Sequence, residues 1–415
     1  MTPATTLDRR RVFAWCLFDF ANSSYSAVIV TAVFSVYYAQ TIVQNDAGLG
    51  DLWWGRVISA SMIAVVLTAP ILGAAADRAG ARKRMLFGFT YLCIACIALY
   101  PTIGPGMILW GFALAAVANF AFESALVYYN AYLPDLAPPQ RRGFVSGLGF
   151  GIGYLGSIAG LMVALPFVGR GRFDLIWLSV AAFFALFSLP AFVALPADRP
   201  TGVRAAAAVV EALRHVGRLV RDVRARPELL RFLLAYFVYL DGVETTIYFS
   251  GIYAAKTLQF ATREVLLLFL AVQLSAFVGA LLLANPTDRW GAKRVVSWSL
   301  IVWVAVAGAA ALAHSKAAFF VVALIAGTQL GTVQAASRTL MASLIPTGKE
   351  AELFGFYAMV GKSSAVLGPL VFGTVSYALH GNQRAAVLAV GTFFLAGLVL
   401  LQRVVPPVIS ASPRA

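Results

Sequence analysis

The chain has 415 residues, of which 60% are hydrophobic and 12% charged, and its mean hydropathy is +0.82. A soluble domain carries roughly 25% charged residues, so this balance excludes a soluble enzyme, a disordered chain and a collagen-like fibre. A net charge of +14 in an apolar chain reads as loop charge facing anionic membrane lipid rather than as a nucleic-acid surface.

Apolar runs of spanning length recur at 12–43, 53–76, 84–101, 106–133, 143–168, 173–195, 229–255, 263–285, 295–313, 317–344, 352–378 and 383–402. They are too long and too continuous for the alternating strands of a membrane barrel. The expectation is an all-α membrane protein with twelve transmembrane helices. The first run follows Arg9, Arg10 and Arg11 and lacks a small-residue cleavage site, so it reads as a retained span rather than a signal peptide. With the N-terminus inside, the cytoplasmic segments collect twenty-three of the basic residues and the outer loops seven. Basic loops stay on the cytoplasmic side, so both termini are expected there. Three domains are expected: a six-helix bundle over 1–195, a cytoplasmic linker over 196–228 and a second six-helix bundle over 229–415. In the linker, Val209, Leu213, Val216, Val220 and Val223 fall near one helical face with arginines on the others. That pattern suits a helix lying on the membrane surface and equally a solvated linker helix.

The two halves repeat. Gly73 opens a loop that continues with Asp77, Arg78, Gly80, Arg82 and Lys83, and Asp288, Arg289, Gly291, Lys293 and Arg294 follow the same spacing at an offset of 211. Asp19 and Asp241 are 222 apart, while Pro134, Gly143, Phe144 and Gly156 meet Pro346, Gly355, Phe356 and Gly368 at an offset of 212. A duplicated six-span unit is the parallel-repeat architecture of secondary transporters.

The D-R-x-G-x-[KR]-[KR] loop, present twice, resembles the cytoplasmic signature of the major facilitator superfamily. The resemblance implies the major facilitator fold, with two pseudo-symmetric halves of six helices. The aspartate of such a loop can cap a neighbouring helix or pair with an arginine across the inner interface, which would bias the gate; a purely topogenic basic loop is the rival reading. Longer segments go further: Trp15-Cys-Leu-Phe-Asp19-Phe-Ala-Asn22-Ser23-Ser24-Tyr25, Tyr129-Asn130-Ala-Tyr-Leu-Pro134, Tyr239-Leu-Asp241-Gly242-Val-Glu244-Thr245 and Gln334-Ala-Ala-Ser337-Arg338, then Gly361-Lys362 and Gly368-Pro369. Together they look like the branch that includes the fungal vacuolar amino-acid effluxer of autophagy. Glu244 departs from that branch, where a neutral residue is expected. The resemblance implies efflux of neutral amino acids, and in the superfamily spans one, four, seven and ten line the central cavity.

Those four spans each carry a polar stripe at helical spacing: Asp19, Asn22, Ser23 and Ser26; Asn119, Glu123 and Asn130; Asp241, Glu244, Thr245 and Tyr248; Gln334, Ser337 and Arg338. Lys362 in span eleven lies at a similar depth. Ionisable residues inside a span are costly and mark function by default. The expected substrate cavity is therefore Asn22, Ser23, Asn119, Glu123, Asn130, Glu244, Thr245, Gln334, Ser337, Arg338 and Lys362, with Arg338 as the main cationic anchor. Asp19 and Asp241, equivalent in the two repeats, are the expected proton-coupling pair. Fixed salt bridges, Arg338 with Glu123 or Asp19, are the structural rival.

His215, His314 and His380 lie in loops or at span ends, so carboxylates would carry any proton. The glycines of span five, from Gly147 to Gly160, read as close helix contact and not as a phosphate loop, because no strand precedes them. Cys16, Cys93 and Cys96 set no metal or disulfide framework, and no cofactor, metal site or enzyme motif is expected. The expected function is secondary active transport of a small polar solute by alternating access, coupled to protons, by a monomer in a bacterial inner membrane. Uniport, export of another metabolite or drug, and a non-transporting receptor remain the alternatives.

Overall fold

A computed structural model describes residues 8–79, 81–137, 142–198, 214, 217–282, 290–346 and 350–405. Among these, twelve helical segments are long and apolar enough to cross a membrane: Arg9–Ile42, Asp46–Thr68, Arg82–Thr102, Ile108–Ala131, Gly151–Val168, Phe173–Ala194, Pro227–Thr257, Thr262–Gly279, Ala292–Leu312, Lys316–Leu344, Leu353–Ala378 and Gln383–Gln402. They are called spans one to twelve. Odd spans run from the face that carries the chain ends, the terminal face, to the opposite far face. Span one begins where the Asp8 side chain accepts from the Arg10 and Arg11 amides, capping donors that have no partner within the helix.

Within each half the first span packs against the fifth through glycine. A Cβ on Gly156 would overlap the Phe20 carbonyl, and one on Gly153 would lie 2.9 Å from Asp19 Oδ2. In the second half a Cβ on Gly368 would overlap the Thr245 hydroxyl and lie 2.8 Å from Asp241 Oδ1. The repeat visible in sequence is thus a repeated contact in space: an aspartate of the first span faces a glycine of the fifth. Trp15 stacks on Tyr129 at 4.5 Å and donates its indole N–H to the Tyr129 carbonyl, tying span one to span four.

Two spans expected as plain helices are irregular. Span one is α-helical over Arg9–Ser24 and then passes through π-helical turns, Tyr25–Ala32 and Tyr38–Ile42. Wide turns of this kind are rare and gather at functional sites. Span eleven breaks between Glu350–Ser364 and Leu367–Ala378, with Pro369 in the first turn after the break. Proline is tolerated there because the first turn has no partner for its N–H. Its counterpart, span five, is continuous over Arg142–Val168.

The linker lies mostly outside the described residues, including Val209, Leu213 and Val216. Residues 217–224 are helical, and Leu219 and Val223 are buried against the protein itself while Arg218, Arg221 and Arg224 are exposed.

The far side is sealed. Gly48 lies against the backbone of Ser376, Gly55 against the Pro369 carbonyl and Gly251 against the Thr31 carbonyl, each without room for a side chain. Trp54 donates to the Tyr248 carbonyl at 3.0 Å and Ser59 to the Val366 carbonyl at 2.8 Å, both across the halves.

Candidate functional site

The charge centre of the molecule is Lys362. Its Nζ lies 2.5 Å from Glu123 Oε2, joining span eleven of the second half to span four of the first. The Glu123 side chain is 8% exposed and that of Lys362 39%, so the pair borders an open space instead of closing one off. Glu244 of span seven is close enough for its charge to act on both Lys362 and Glu123. One cation therefore pairs with a carboxylate across the interface of the halves, with a second carboxylate within electrostatic reach. Such a cluster can exchange an internal carboxylate for one brought by a solute, because each arrangement leaves the ammonium paired.

The other expected residues do not converge on that centre. Asp19 is part-buried, accepts from Asn22 Nδ2 at 3.3 Å and faces span five, with Ser23 beside it near Gly153. Asp241 is fully buried and is bound by the Gly368 amide, 2.9 Å from each carboxylate oxygen, at the start of the helix after the break. It caps a helix N-terminus. Thr245 donates to the Asp241 carbonyl of its own helix at 2.6 Å. Asn119 is buried and donates to Ser61 of span two at 2.7 Å. Ser337 shares a 2.6 Å hydrogen bond with Tyr239 of span seven and is also buried. Gln334 is part-buried, whereas Asn130 and Arg338 are exposed. A fixed bridge of Arg338 with Glu123 or Asp19 was the structural rival; the cation that pairs with Glu123 is Lys362. Spacing along a helix puts residues on one face but cannot say which neighbour that face meets.

The repeated basic loops hold the ends of their own halves. Arg82 pairs with Asp135 at 3.1 Å, and Asp198 accepts from the backbone amides of Lys83 and Arg84 and from Arg84 Nε. Lys83 Nζ donates to the Leu195 carbonyl at 2.8 Å, and Lys293 Nζ to the Gln402 carbonyl at 3.0 Å, so each half ties this loop to the end of its sixth span. Gly291 has φ +87°, a left-handed conformation that favours glycine, at the residue before the next helix. Arg294 extends the helix that follows, its amide donating to the Gly291 carbonyl. Gly73 lies within the helix Leu49–Ala79, whereas the side chains of Asp77 and Arg78 and the residues Gly80, Asp288 and Arg289 lie outside what is described.

Comparison with known proteins decides the family. The family described as "Vacuole effluxer Atg22 like" matches residues 56–406. The chain belongs to the Atg22-like family. An uncharacterised MFS-type transporter of Bacillus subtilis, YxiO, is 29% identical over 401 residues, covering 94% of this chain and 93% of that protein. Autophagy-related protein 22 of Cryptococcus neoformans is 28% identical over 286 residues, and the match spans about half of that longer protein, 52%. In fold the chain is similar to a D-xylose–proton symporter (TM-score 0.74, 14% identity, 97% and 98% of the two chains) and to a D323A mutant of the nucleoside transporter NupG (TM-score 0.72, 16%, 94% and 99%). This Atg22-like protein is thus a multi-pass integral-membrane transporter of the major facilitator type, and not an enzyme.

One polar group of the Atg22-like chain escaped the reading of its sequence. Asp51, at the far-face start of span two, is fully buried among Asn45, Ser376, Gln383 and Lys256. A charge at a span end reads as a loop charge, and three of its four partners, Lys256, Ser376 and Gln383, lie more than 200 residues away. Only the unusual polarity of Asn45, Asp46 and Asp51 in one short connection hints at it.

Proposed function

We propose that this transporter carries a neutral, zwitterionic amino acid by alternating access, coupled to protons, with Lys362, Glu123 and Glu244 as the seat of the solute. The observation that carries the reading is the Lys362–Glu123 pair across the interface of the halves, with Glu244 within electrostatic reach of both. A zwitterion matches it: the solute carboxylate takes Lys362, and its ammonium takes the glutamate so released. The glutamate that finds no ammonium takes a proton, because an unpaired buried carboxylate is costly. Coupling then follows from differential binding to the two charge arrangements. In this reading the terminal face is cytoplasmic, as the basic loops require, and the chain works as a monomer in a bacterial inner membrane with anionic lipids at its basic face. Asp19 stays a second proton site, while Asp241 serves the helix break.

Counterflow in liposomes tests the proposal. Purified protein preloaded with an unlabelled neutral amino acid should accumulate the labelled form, and Lys362→Met should abolish this while melting as a folded protein. Accumulation of a sugar or nucleoside but of none of the neutral amino acids, or normal amino-acid counterflow by Lys362→Met, would overturn it.

A further inference from the structure

The Asp51 carboxylate receives a set of donors that converge from the other half. Ser376 Oγ of span eleven donates at 2.5 Å to Oδ2, and Gln383 Nε2 of span twelve donates at 2.8 Å to Oδ1. Lys256 Nζ, at the end of span seven, lies 3.7 Å from Oδ2 and has no hydrogen-bond partner of its own among the described residues. From its own half Asp51 has Asn45, whose Nδ2 donates to Oδ1 at 2.7 Å. Asn45 Oδ1 in turn accepts from the Gly50 and Asp51 amides, which fixes the amide group in place. Thr257 donates to Gln383 Oε1 at 2.6 Å, which orients Nε2 toward the carboxylate. The Asp51 side chain is 0% exposed.

We propose that Lys256, Ser376 and Gln383 form a carboxylate-binding site built by the second half, which Asp51 of the first half occupies as an internal ligand to hold the far side shut. Three points support it. The donors are two neutral groups and one ammonium, a complement suited to one carboxylate and to no neutral side chain. They belong to three spans of one half, so movement of the halves as bodies leaves them together. Finally, the ligand comes from the opposite half, so opening the far side must withdraw it. Separation then leaves a preformed receptor at the far mouth, open to the carboxylate of a solute. Gly48 and Gly373 let the backbones of spans two and eleven approach closely enough for the side chains to meet.

The test is chemical rescue. In a chain whose three cysteines are replaced by alanine, Ser59→Cys places a thiol in the sealed interface, where Ser59 is 1% exposed. Its rate of reaction with a membrane-impermeant maleimide reports opening of the far side and needs no transport, so the result is separate from the identity of the solute proposed above. Asp51→Ala should raise that rate about fivefold or more, the change expected from losing roughly one kcal/mol of a closed state. Formate should bring it back toward the original value, where chloride at equal ionic strength should not, and adding Gln383→Leu should remove the formate effect. If Asp51→Ala fails to fold, Asp51→Asn keeps the volume but turns a donor toward donors, and it should raise the rate without responding to formate. An unchanged rate in the folded variant overturns the latch. A raised rate in Asp51→Ala that formate leaves untouched overturns the carboxylate site.

Discussion

Spans one and five of the first half and spans seven and eleven of the second descend from one pattern, yet they use their aspartates differently. Asp19 faces an unbroken helix, and its one hydrogen bond among the described residues comes from the Asn22 side-chain amide. Asp241 faces a helix that stops and restarts, and it binds the amide this exposes at Gly368. A carboxylate that satisfies a helix end is structural, because removing it leaves a buried donor unpaired. The equivalence of the two residues in sequence therefore does not extend to equal surroundings. The difference lies in the neighbour, span eleven, which has broken where span five has not.

Substitutions that fill or empty these contacts should separate the halves. The largest effect is expected for Gly156→Ala, whose new methyl meets the backbone of Phe20, which cannot rotate away. Overpacking costs about 1–3 kcal/mol in general, and this site belongs at the upper end, read as loss of folded protein in a thermal melt. Gly368→Ala meets the Thr245 hydroxyl most closely, with the Asp241 carboxylate and carbonyl farther off, and should cost less because the Thr245 side chain can turn. Equal losses would mean that the break in span eleven gives no freedom that span five lacks.

Next in size is the aspartate pair. Asp241→Asn should destabilise by about 1.5–3 kcal/mol, the usual range for a hydrogen bond to a charged group. Asp19→Asn should leave the melting temperature nearly unchanged. The smallest effects are expected at the basic loops, where Lys83→Ala and Lys293→Ala each lose a bond to the carbonyl at the end of the sixth span of their half. Each should cost below about 1 kcal/mol, as charged groups near the surface do, and the two should match. A much larger loss for one would assign that loop a role beyond holding its own bundle.

The sequence carried the spans, the duplication and the family, because hydropathy over twenty residues and a repeated loop are local signals. It also singled out Glu123, Glu244 and Lys362, since an ionisable residue inside a span is conspicuous in any register. What it could not carry was pairing. Glu123 and Lys362 are 239 residues apart, and no periodicity distinguishes Lys362 from Arg338 as the partner. Asn119 and Ser337 sit on polar stripes, but their stripes meet Ser61 and Tyr239 instead of open space. The break in span eleven had a visible mark in Pro369, though Pro166 and Pro190 lie inside unbroken helices, so proline alone could not locate it. The π-helical turns of span one left no mark in composition at all.

The proposed division of labour between Asp241 and the cross-half cluster is most directly tested by solute accumulation driven by a pH gradient in liposomes, expressed per folded molecule, for Asp241→Asn beside Glu123→Gln. Glu123→Gln should abolish accumulation yet keep part of the exchange of labelled solute, while Asp241→Asn should yield less folded protein but accumulate as the parent does. Accumulation lost in Asp241→Asn and retained in Glu123→Gln, at equal amounts of folded protein, would contradict the account and return the proton to the repeated aspartates.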